Sequence, residues 1–209
     1  MIERKPEMID IEKYQKYSVI IPIIKGENGY EILFEVRAAG LKKQPGEVCF
    51  PGGKAEPMET AWETAEREAC EELLIQKEQM TEQMPLDIFL SPFDIVISPF
   101  AVILDGYSGT KNPDETASVF TVPLKFFMEH EPECYECDIL NVPGGDFPFE
   151  KIPGGKSYPW RRGRYEVNFY EYGGHVIWGL TAKIMKASVG LIGQFIKQWE
   201  DMENEKEKK

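Results

Sequence analysis

The sequence predicts a single domain with an α+β fold. Two observations indicate it. First, short runs of β-branched or alternating residues, at 17–25 and 30–37, precede an unbroken helical pattern at 60–74. Second, further strand patterns follow that helix, and a long apolar-periodic segment at 176–199 predicts a closing helix. A chain of 209 residues is long enough for one domain with a full core.

The N-terminal third predicts a lead-in, a hairpin and a glycine-rich turn. Residues 1–16 carry many charges, and we expect them to be weakly ordered. The segment Gly26–Gly29 separates the first two strand patterns and is typical of a hairpin turn. A third, short strand at 47–50 then leads into the turn Pro51-Gly52-Gly53, directly before the helix.

The remainder of the chain predicts strands joined by polar loops and followed by the last helix. The expected strands are 86–90, 96–104, 117–122 and 164–172, and a short helix is expected at 123–129. Residues 133–158 are rich in glycine and proline and predict an irregular insertion, a candidate flap over a site. Residues 200–209 are a charged tail, so the predicted domain spans 17–199.

Composition limits the classes of partner. The net charge of −12 argues against a surface that binds nucleic acid by neutralising its phosphates. Small phosphate compounds remain compatible with it, because a bound metal ion supplies positive charge locally. The sequence has no apolar run of 18 residues and no apolar core near its first residue. We therefore expect a cytoplasmic protein without a membrane partner; its oligomeric state stays open, with a homodimer among the options.

The predicted helix at 60–74 carries an unusual set of acids. At 3.6 residues per turn, Glu68 and Glu72 stack on one flank, and Glu71 lies beside them. Like charges on one flank repel and cost helix stability, whereas a divalent cation with a preference for hard oxygen ligands would compensate for them. Arg67 lies four residues before Glu71 and can hold one acid while the others bind metal. A solvated acidic face is the alternative interpretation.

The spacing of these residues resembles a known family motif. Gly53, Glu59, the pair Arg67-Glu68 and the pair Glu71-Glu72 match every charged position of the Nudix box. One position departs from it, because Leu74 stands where the box has its second glycine, at the expected helix end. The resemblance implies an α/β/α sandwich with a mixed β-sheet and a dependence on Mg²⁺ or Mn²⁺.

The resemblance also implies roles for the motif residues. Glu68 and Glu72 would bind the metal, with the Gly52 carbonyl as a further ligand. Glu71 would hold an additional metal ion or a water. Arg67 would orient the acids, and Glu59 would brace the loop.

Upstream residues resemble one branch of the family. Arg37, Leu41 and the run Gly46–Gly53 are similar to the coenzyme A pyrophosphatase signature, which continues directly into the box. This resemblance implies a coenzyme A-like nucleotide substrate that is split into 4′-phosphopantetheine and adenosine 3′,5′-bisphosphate. It also implies that Arg37, Gly46, Glu47 and Gly53 contact the substrate.

Two other functions remain open at this level. One is a Nudix pyrophosphatase that acts on ADP-ribose, NADH or a nucleoside triphosphate. The other is a non-catalytic Nudix domain that senses a nucleotide, although such a domain would not need the complete set of acids.

Two roles are assigned to residues outside the motif. Glu115 precedes a predicted strand and is the candidate general base, with Asp114 as its competitor. Arg161, Arg162 and Arg164 form a dense basic cluster that could bind the 3′-phosphate of coenzyme A. An ordinary charged loop is the alternative, in which case Lys42, Lys43 or Lys54 would be the better candidates.

Overall fold

A computed structural model describes residues 8–207, which form two sheets and three helices. The helices are α1 (Ala61–Leu73), α2 (Leu124–Glu129) and α3 (Gly179–Glu207). The larger sheet contains β1 (Gln15–Gly26), β2 (Gly29–Arg37), β3 (Val48–Cys49), β4 (Gly52–Lys54), β5 (Met80–Pro85), β6 (Phe89–Ser91), β7 (Ile95–Leu104) and β8 (Thr116–Pro123). The smaller sheet contains β9 (Glu133–Ile139), β10 (Gly163–Tyr172) and β11 (His175–Trp178).

The larger sheet is mixed, as expected. Its order is β3-β2-β1-β7-β5, with β4 on β1, β6 on β7 and β8 on β2. The pair β1–β7 is parallel, and the other pairs are antiparallel. Strand β1 pairs with two neighbours on the same edge: its second half pairs with β2, and residues 17–19 pair with β4. The glycine-rich turn thereby lies against the middle of the sheet.

Helices cover both faces of this sheet, so the α/β/α sandwich is confirmed. Alternation along β1 sends Ile20 to one face and Ile21 to the other. On the first face, Ile20 and Leu33 pack with residues of α1 such as Ala69. On the second face, the core includes residues of α2 and α3, among them Met185. In the described part of the chain, no helix combines the length and the apolar character needed to span a lipid bilayer.

The expected irregular insertion at 133–158 was partly wrong. Residues 133–139 form β9, which pairs with β10 from Glu133↔Phe169 to Ile139↔Gly163. Every residue from 133 to 138 is exposed, so the strand lacks the alternation of buried and exposed residues that would have revealed it. Strand β5 was also missed, because its polar sequence MTEQMP gives little strand signal.

The bounds of the last helix were wrong at both ends. Residues 175–178 are strand β11, which forms a hairpin with β10 around Gly173 and Gly174, both at positive φ. At the other end, α3 extends through the predicted tail to residue 207. The Tyr30 hydroxyl donates to Glu200 at 2.8 Å, which holds this extension against β2. Part of the expected lead-in, residues 1–7, lies outside the described residues, and β1 begins at Gln15.

Candidate active site

Helix α1 is defined at both ends by local interactions. The Thr60 hydroxyl accepts from Glu63 N, and the Glu63 carboxylate accepts from Thr60 N, which forms a capping box. At the other end, Leu74 takes the left-handed conformation, with φ 52° and ψ 44°. The helix therefore ends at the same place as in the box motif, although Leu74 bears the strain that glycine would avoid.

The glycine-rich turn contacts two acids of α1. Gly52 N donates to Glu72 Oε2 at 2.8 Å, which ties the turn to the helix. Gly52 has φ 150°, and a Cβ there would collide with the backbone at Ser18. A Cβ on Gly53 would instead collide with the Glu68 carboxylate. Both positions require glycine because backbone and carboxylates meet there without room for a side chain.

Arg67 connects the acids on the outer side of this contact. Its Nε and Nη2 donate to the two oxygens of Glu59 at 2.7 and 3.1 Å, a bidentate arrangement. Its Nη1 donates to Glu68 Oε1 at 2.8 Å and to Glu71 Oε2 at 3.5 Å. The hydrogen bonds from Arg67 are the main reason why the pKa of Glu59 is lowered to about 2. Glu59 therefore remains charged and anchors Arg67, which in turn orients Glu68.

A cavity of about 560 Å³ lies beside the turn and α1. Its acidic side consists of Glu68 and Glu72 together with Glu115, which comes from the loop before β8. Its cationic side consists of Arg37, Lys43 and Lys54. The remaining wall is largely apolar and includes Tyr17, Val19, Phe50, Ile95, Ile97, Leu180 and Ile184. Three carboxylates and three cationic side chains thus line one space.

Loop 38–46 is closed so that its basic residues reach the cavity. Arg37 N donates to Glu47 O at 2.9 Å, and Gly46 N donates to Arg37 O at 3.0 Å. Within the loop, Arg37 Nε donates to Lys43 O at 3.4 Å. These hydrogen bonds hold Arg37 and Lys43, six residues apart, beside the same cavity.

A second buried carboxylate, that of Glu35, lies behind Glu72. Glu72 is 4% exposed, and Glu35, on β2, is 1% exposed. Burial raises the pKa of both carboxyl groups. The charge of Glu35 raises the pKa of Glu72 further, and the charge of Glu115 raises that of Glu35. Burial also raises the pKa of Glu68, against the opposing effect of Arg67. Ionisation of these acids without a nearby cation is therefore unfavourable.

The chemistry of these donors fits a divalent cation. Carboxylates and backbone carbonyls are hard oxygen ligands, and Mg²⁺ commonly takes one or two carboxylates and completes its shell with water or substrate phosphates. Within residues 8–207, no three His, Cys, Asp or Glu side chains are spaced to hold an ion by themselves. Glu68, Glu72 and the Gly52 carbonyl would hold the cation, with Glu115 on the opposite loop.

Not every residue expected at the site lies there. Glu71 is half-exposed and, in the described structure, is not part of the cavity wall. Gly46 and Glu47 line a neighbouring pocket of about 440 Å³ that also includes His175 and Trp178. The Glu47 carboxylate accepts a hydrogen bond from Gln44, which does line the cavity. Glu47 therefore contacts a residue of the cavity wall without being part of that wall.

The arginine cluster also lies elsewhere. Arg161, Arg162 and Arg164 are exposed at the start of β10, and in the described structure none of them lines the cavity. Arg164 Nη1 lies 3.3 Å from Glu136 Oε2, on the adjacent strand β9. Of the three alternatives named above, Lys43 and Lys54 line the cavity, and Lys42 is not part of its described wall.

Glu35 is a residue of this site that the sequence analysis missed. The available signal was a glutamate inside the apolar run Ile32-Leu33-Phe34-Glu35-Val36. An alternating strand can place such a residue on a solvated face, so the pattern did not distinguish a buried carboxylate from an exposed one.

Comparisons with known proteins agree with this geometry. Residues 15–132 match the model of the NUDIX domain family. The chain is 36% identical over 134 residues to the peroxisomal coenzyme A diphosphatase NUDT7 of Mus musculus, covering 63% of this chain and 56% of that protein. It therefore spans little more than half the length of this relative.

Two other proteins extend the comparison along the chain. The uncharacterized Nudix hydrolase NudL of Photorhabdus laumondii is 35% identical over 173 residues, which cover 80% of each chain. A MutT/nudix family protein from Enterococcus faecalis aligns in structure with a TM-score of 0.53. That alignment covers 91% of this chain and 66% of the other at 14% identity, so it concerns the fold alone.

Proposed function

The chain belongs to the NUDIX domain family, and from that premise we propose that it hydrolyses a pyrophosphate bond in a nucleoside diphosphate derivative. The observation that carries the proposal is the cavity in which Glu68, Glu72 and Glu115 face Arg37 and the two lysines, Lys43 and Lys54. A pyrophosphate repels an attacking anion, so its hydrolysis needs both a metal site and positive charge around the phosphates. The cavity has carboxylates that would hold a metal ion and three cationic side chains that would face the phosphates.

The acidic residues of the cavity and the Gly52 carbonyl have separate roles in this proposal. Glu68, Glu72 and the Gly52 carbonyl would hold a divalent cation, Mg²⁺ or Mn²⁺. When bound, that cation neutralises phosphate charge and lowers the pKa of a water. Glu115 accepts the proton of the attacking water as general base. It is oriented by Asn112 Nδ2, which donates to Glu115 Oε1 at 3.3 Å.

Arg37, Lys43 and Lys54 bind the phosphates in this proposal. Arginine suits bidentate contacts to phosphate oxygens, and lysine acts as a mobile point charge. The apolar wall of the cavity gives the non-nucleotide part of a substrate a surface to pack on. Nucleotide recognition and packing of an extended arm can thus occur in one space.

Coenzyme A is the substrate that we propose first. The mouse relative is named a coenzyme A diphosphatase, and residues 37–53 resemble the signature of that branch. Coenzyme A joins a nucleoside diphosphate to a long arm, which matches a cavity with a charged side and an apolar wall. The products would be 4′-phosphopantetheine and adenosine 3′,5′-bisphosphate. ADP-ribose, NADH and nucleoside triphosphates are the alternative substrates.

A substrate panel tests this proposal. The purified protein is incubated with Mn²⁺ and either coenzyme A, ADP-ribose, NADH or a deoxynucleoside triphosphate, with Glu72→Gln as the matched blank. We expect the highest kcat/KM for coenzyme A, with 4′-phosphopantetheine identified by mass spectrometry. A higher kcat/KM for ADP-ribose would make ADP-ribose the proposed substrate instead of coenzyme A. Binding without turnover of any compound would favour the nucleotide-sensing alternative.

A further inference from the structure

Glu35 has a buried oxygen that the protein itself does not satisfy. Glu35 and Leu33 are two residues apart in β2, so their side chains lie on the same face of the sheet. Leu33 packs under α1, and Glu35 therefore faces the same helix. Glu35 is 1% exposed, and its Oε1 has no hydrogen-bond partner among the described residues. Thr116 Oγ1, on the paired strand β8, is also buried without a partner there. Burial raises the pKa of Glu35, and hydrogen bonding from the neighbouring Thr116 hydroxyl lowers it, although the two oxygens lie outside strict hydrogen-bonding geometry.

The charges around Glu35 are mainly negative. Glu72 from α1 and Glu115 from the loop before β8 both act on it electrostatically. Arg37, two residues further along β2 and on the same face, is the cation that acts on it. No ion pair among residues 8–207 includes Glu35. A carboxylate in such a position is costly unless a cation compensates for it.

We propose that Glu35 is a positioning residue of the metal centre, which supplies buried negative charge and a free acceptor oxygen from beneath Glu72. The inference rests on the proposed function, because it requires the cation held by Glu68, Glu72 and the Gly52 carbonyl. Groups behind the direct ligands commonly alter metal affinity by about 10- to 100-fold. Glu35 lies outside the box motif, so the metal centre of this chain includes a residue of the central sheet.

Direct metal binding tests the inference without an activity assay. Mn²⁺ is titrated into metal-free protein, and free Mn²⁺ is followed by electron paramagnetic resonance. Glu35→Gln keeps the size of the side chain and removes its charge, and we expect a Kd about 10- to 100-fold higher than that of the wild type. The matched control is Glu31→Gln, on the same face of β2 and roughly 13 Å away. We expect its Kd to equal that of the wild type.

A second control separates this inference from the function on which it rests. Glu68→Gln should weaken Mn²⁺ binding whether or not Glu35 contributes, because Glu68 is a proposed direct ligand. If Glu68→Gln weakens it and Glu35→Gln stays within twofold of the wild type, the role of Glu35 is refuted and the metal site stands. If neither variant changes Kd, the metal site itself is misplaced.

Folding is measured on the same samples. A purely structural role for Glu35 would change the melting temperature in EDTA and leave the Kd for Mn²⁺ unchanged, which would also refute the inference. If Glu35→Gln does not fold, Glu35→Met tests the same expectation, because it removes the charge with little change in volume.

Discussion

The carboxylate of Glu72 accepts a hydrogen bond of 2.8 Å from the backbone N–H of Gly52, twenty residues earlier in the chain. This contact joins the acidic helix to the glycine-rich turn, and Glu72 is almost fully buried by it. A Cβ on the neighbouring Gly53 would collide with the Glu68 carboxylate. Turn and helix therefore form one unit, in which backbone groups and carboxylates are arranged around the same part of the cavity.

Removal of either metal-binding charge should abolish most of the activity. We expect Glu68→Gln and Glu72→Gln each to lower kcat by at least ~100-fold, the order of loss for a key electrostatic group. Both substitutions preserve side-chain size, so circular dichroism should show the wild-type fold. Turnover at the wild-type rate in either variant would contradict the site assignment.

The two glycines of the turn should respond differently to alanine. In Gly53→Ala, the new Cβ meets the flexible end of Glu68, so we expect a folded protein in which kcat falls by about 100-fold. In Gly52→Ala, the Cβ meets backbone at Ser18 and φ is unfavourable, so the melting temperature should fall. Thermal melts and initial rates on both variants check this. A stable, fully active Gly53→Ala would show that Glu68 has no fixed position.

Leu74→Gly should stabilise the protein. Leu74 is 54% exposed and has φ 52°, so glycine would relieve strain and lose little packing. We expect a gain of about 1 kcal/mol in the free energy of unfolding, seen as a rise of roughly 2–4 °C in Tm. Leu74→Ala keeps the strain and is the control. Equal Tm values for the glycine and alanine variants would mean that the αL conformation costs nothing here.

Recognition of the 3′-phosphate of coenzyme A should depend on Lys43 and Lys54. A charge-assisted contact is worth about 1.5–3 kcal/mol, so coenzyme A should be preferred over dephospho-coenzyme A by about 10- to 150-fold in kcat/KM. Replacing both lysines by alanine should erase that preference, mainly through KM. The matched control replaces Arg161 and Arg162 by alanine. If only the arginine variant loses the preference, the arginine cluster binds the 3′-phosphate, as the sequence analysis first suggested.

The Glu59–Arg67 pair should give a defined dependence of stability on pH. Because the folded-state pKa of Glu59 is lowered to about 2 from 4.5, its contribution is present above about pH 4.5 and is lost as the pH falls toward 2. Urea denaturation in EDTA should therefore show the wild type more stable than Glu59→Gln at pH 7. The difference should narrow steadily below pH 4.5. A constant difference across this range would exclude titration of Glu59 as the cause.

Local sequence was enough to predict the turn and the helix of the site. The capping of α1, the spacing of Ala65 and Ala69, which pack on the sheet, and the spacing of Glu68 and Glu72 all depend on residues within a few helical turns of one another. Their side-chain directions follow directly from helical geometry. The sequence did not decide where the helix ends, because Leu74 replaces the glycine expected there. The backbone of the structure shows that the leucine occupies the left-handed position.

The sequence by itself determined the acids of the motif and the family that they resemble, because both depend on short spacings. The mixed sheet between helices was what that resemblance implied. Tertiary structure alone decided which charges face the cavity. It brought Lys43, Lys54 and Glu115 to the acids, left Arg164 on β10 outside the described cavity wall and buried Glu35 behind Glu72. The physical reason is that strand pairing and loop closure join residues far apart in the chain, and these pairings cannot be predicted from local sequence patterns.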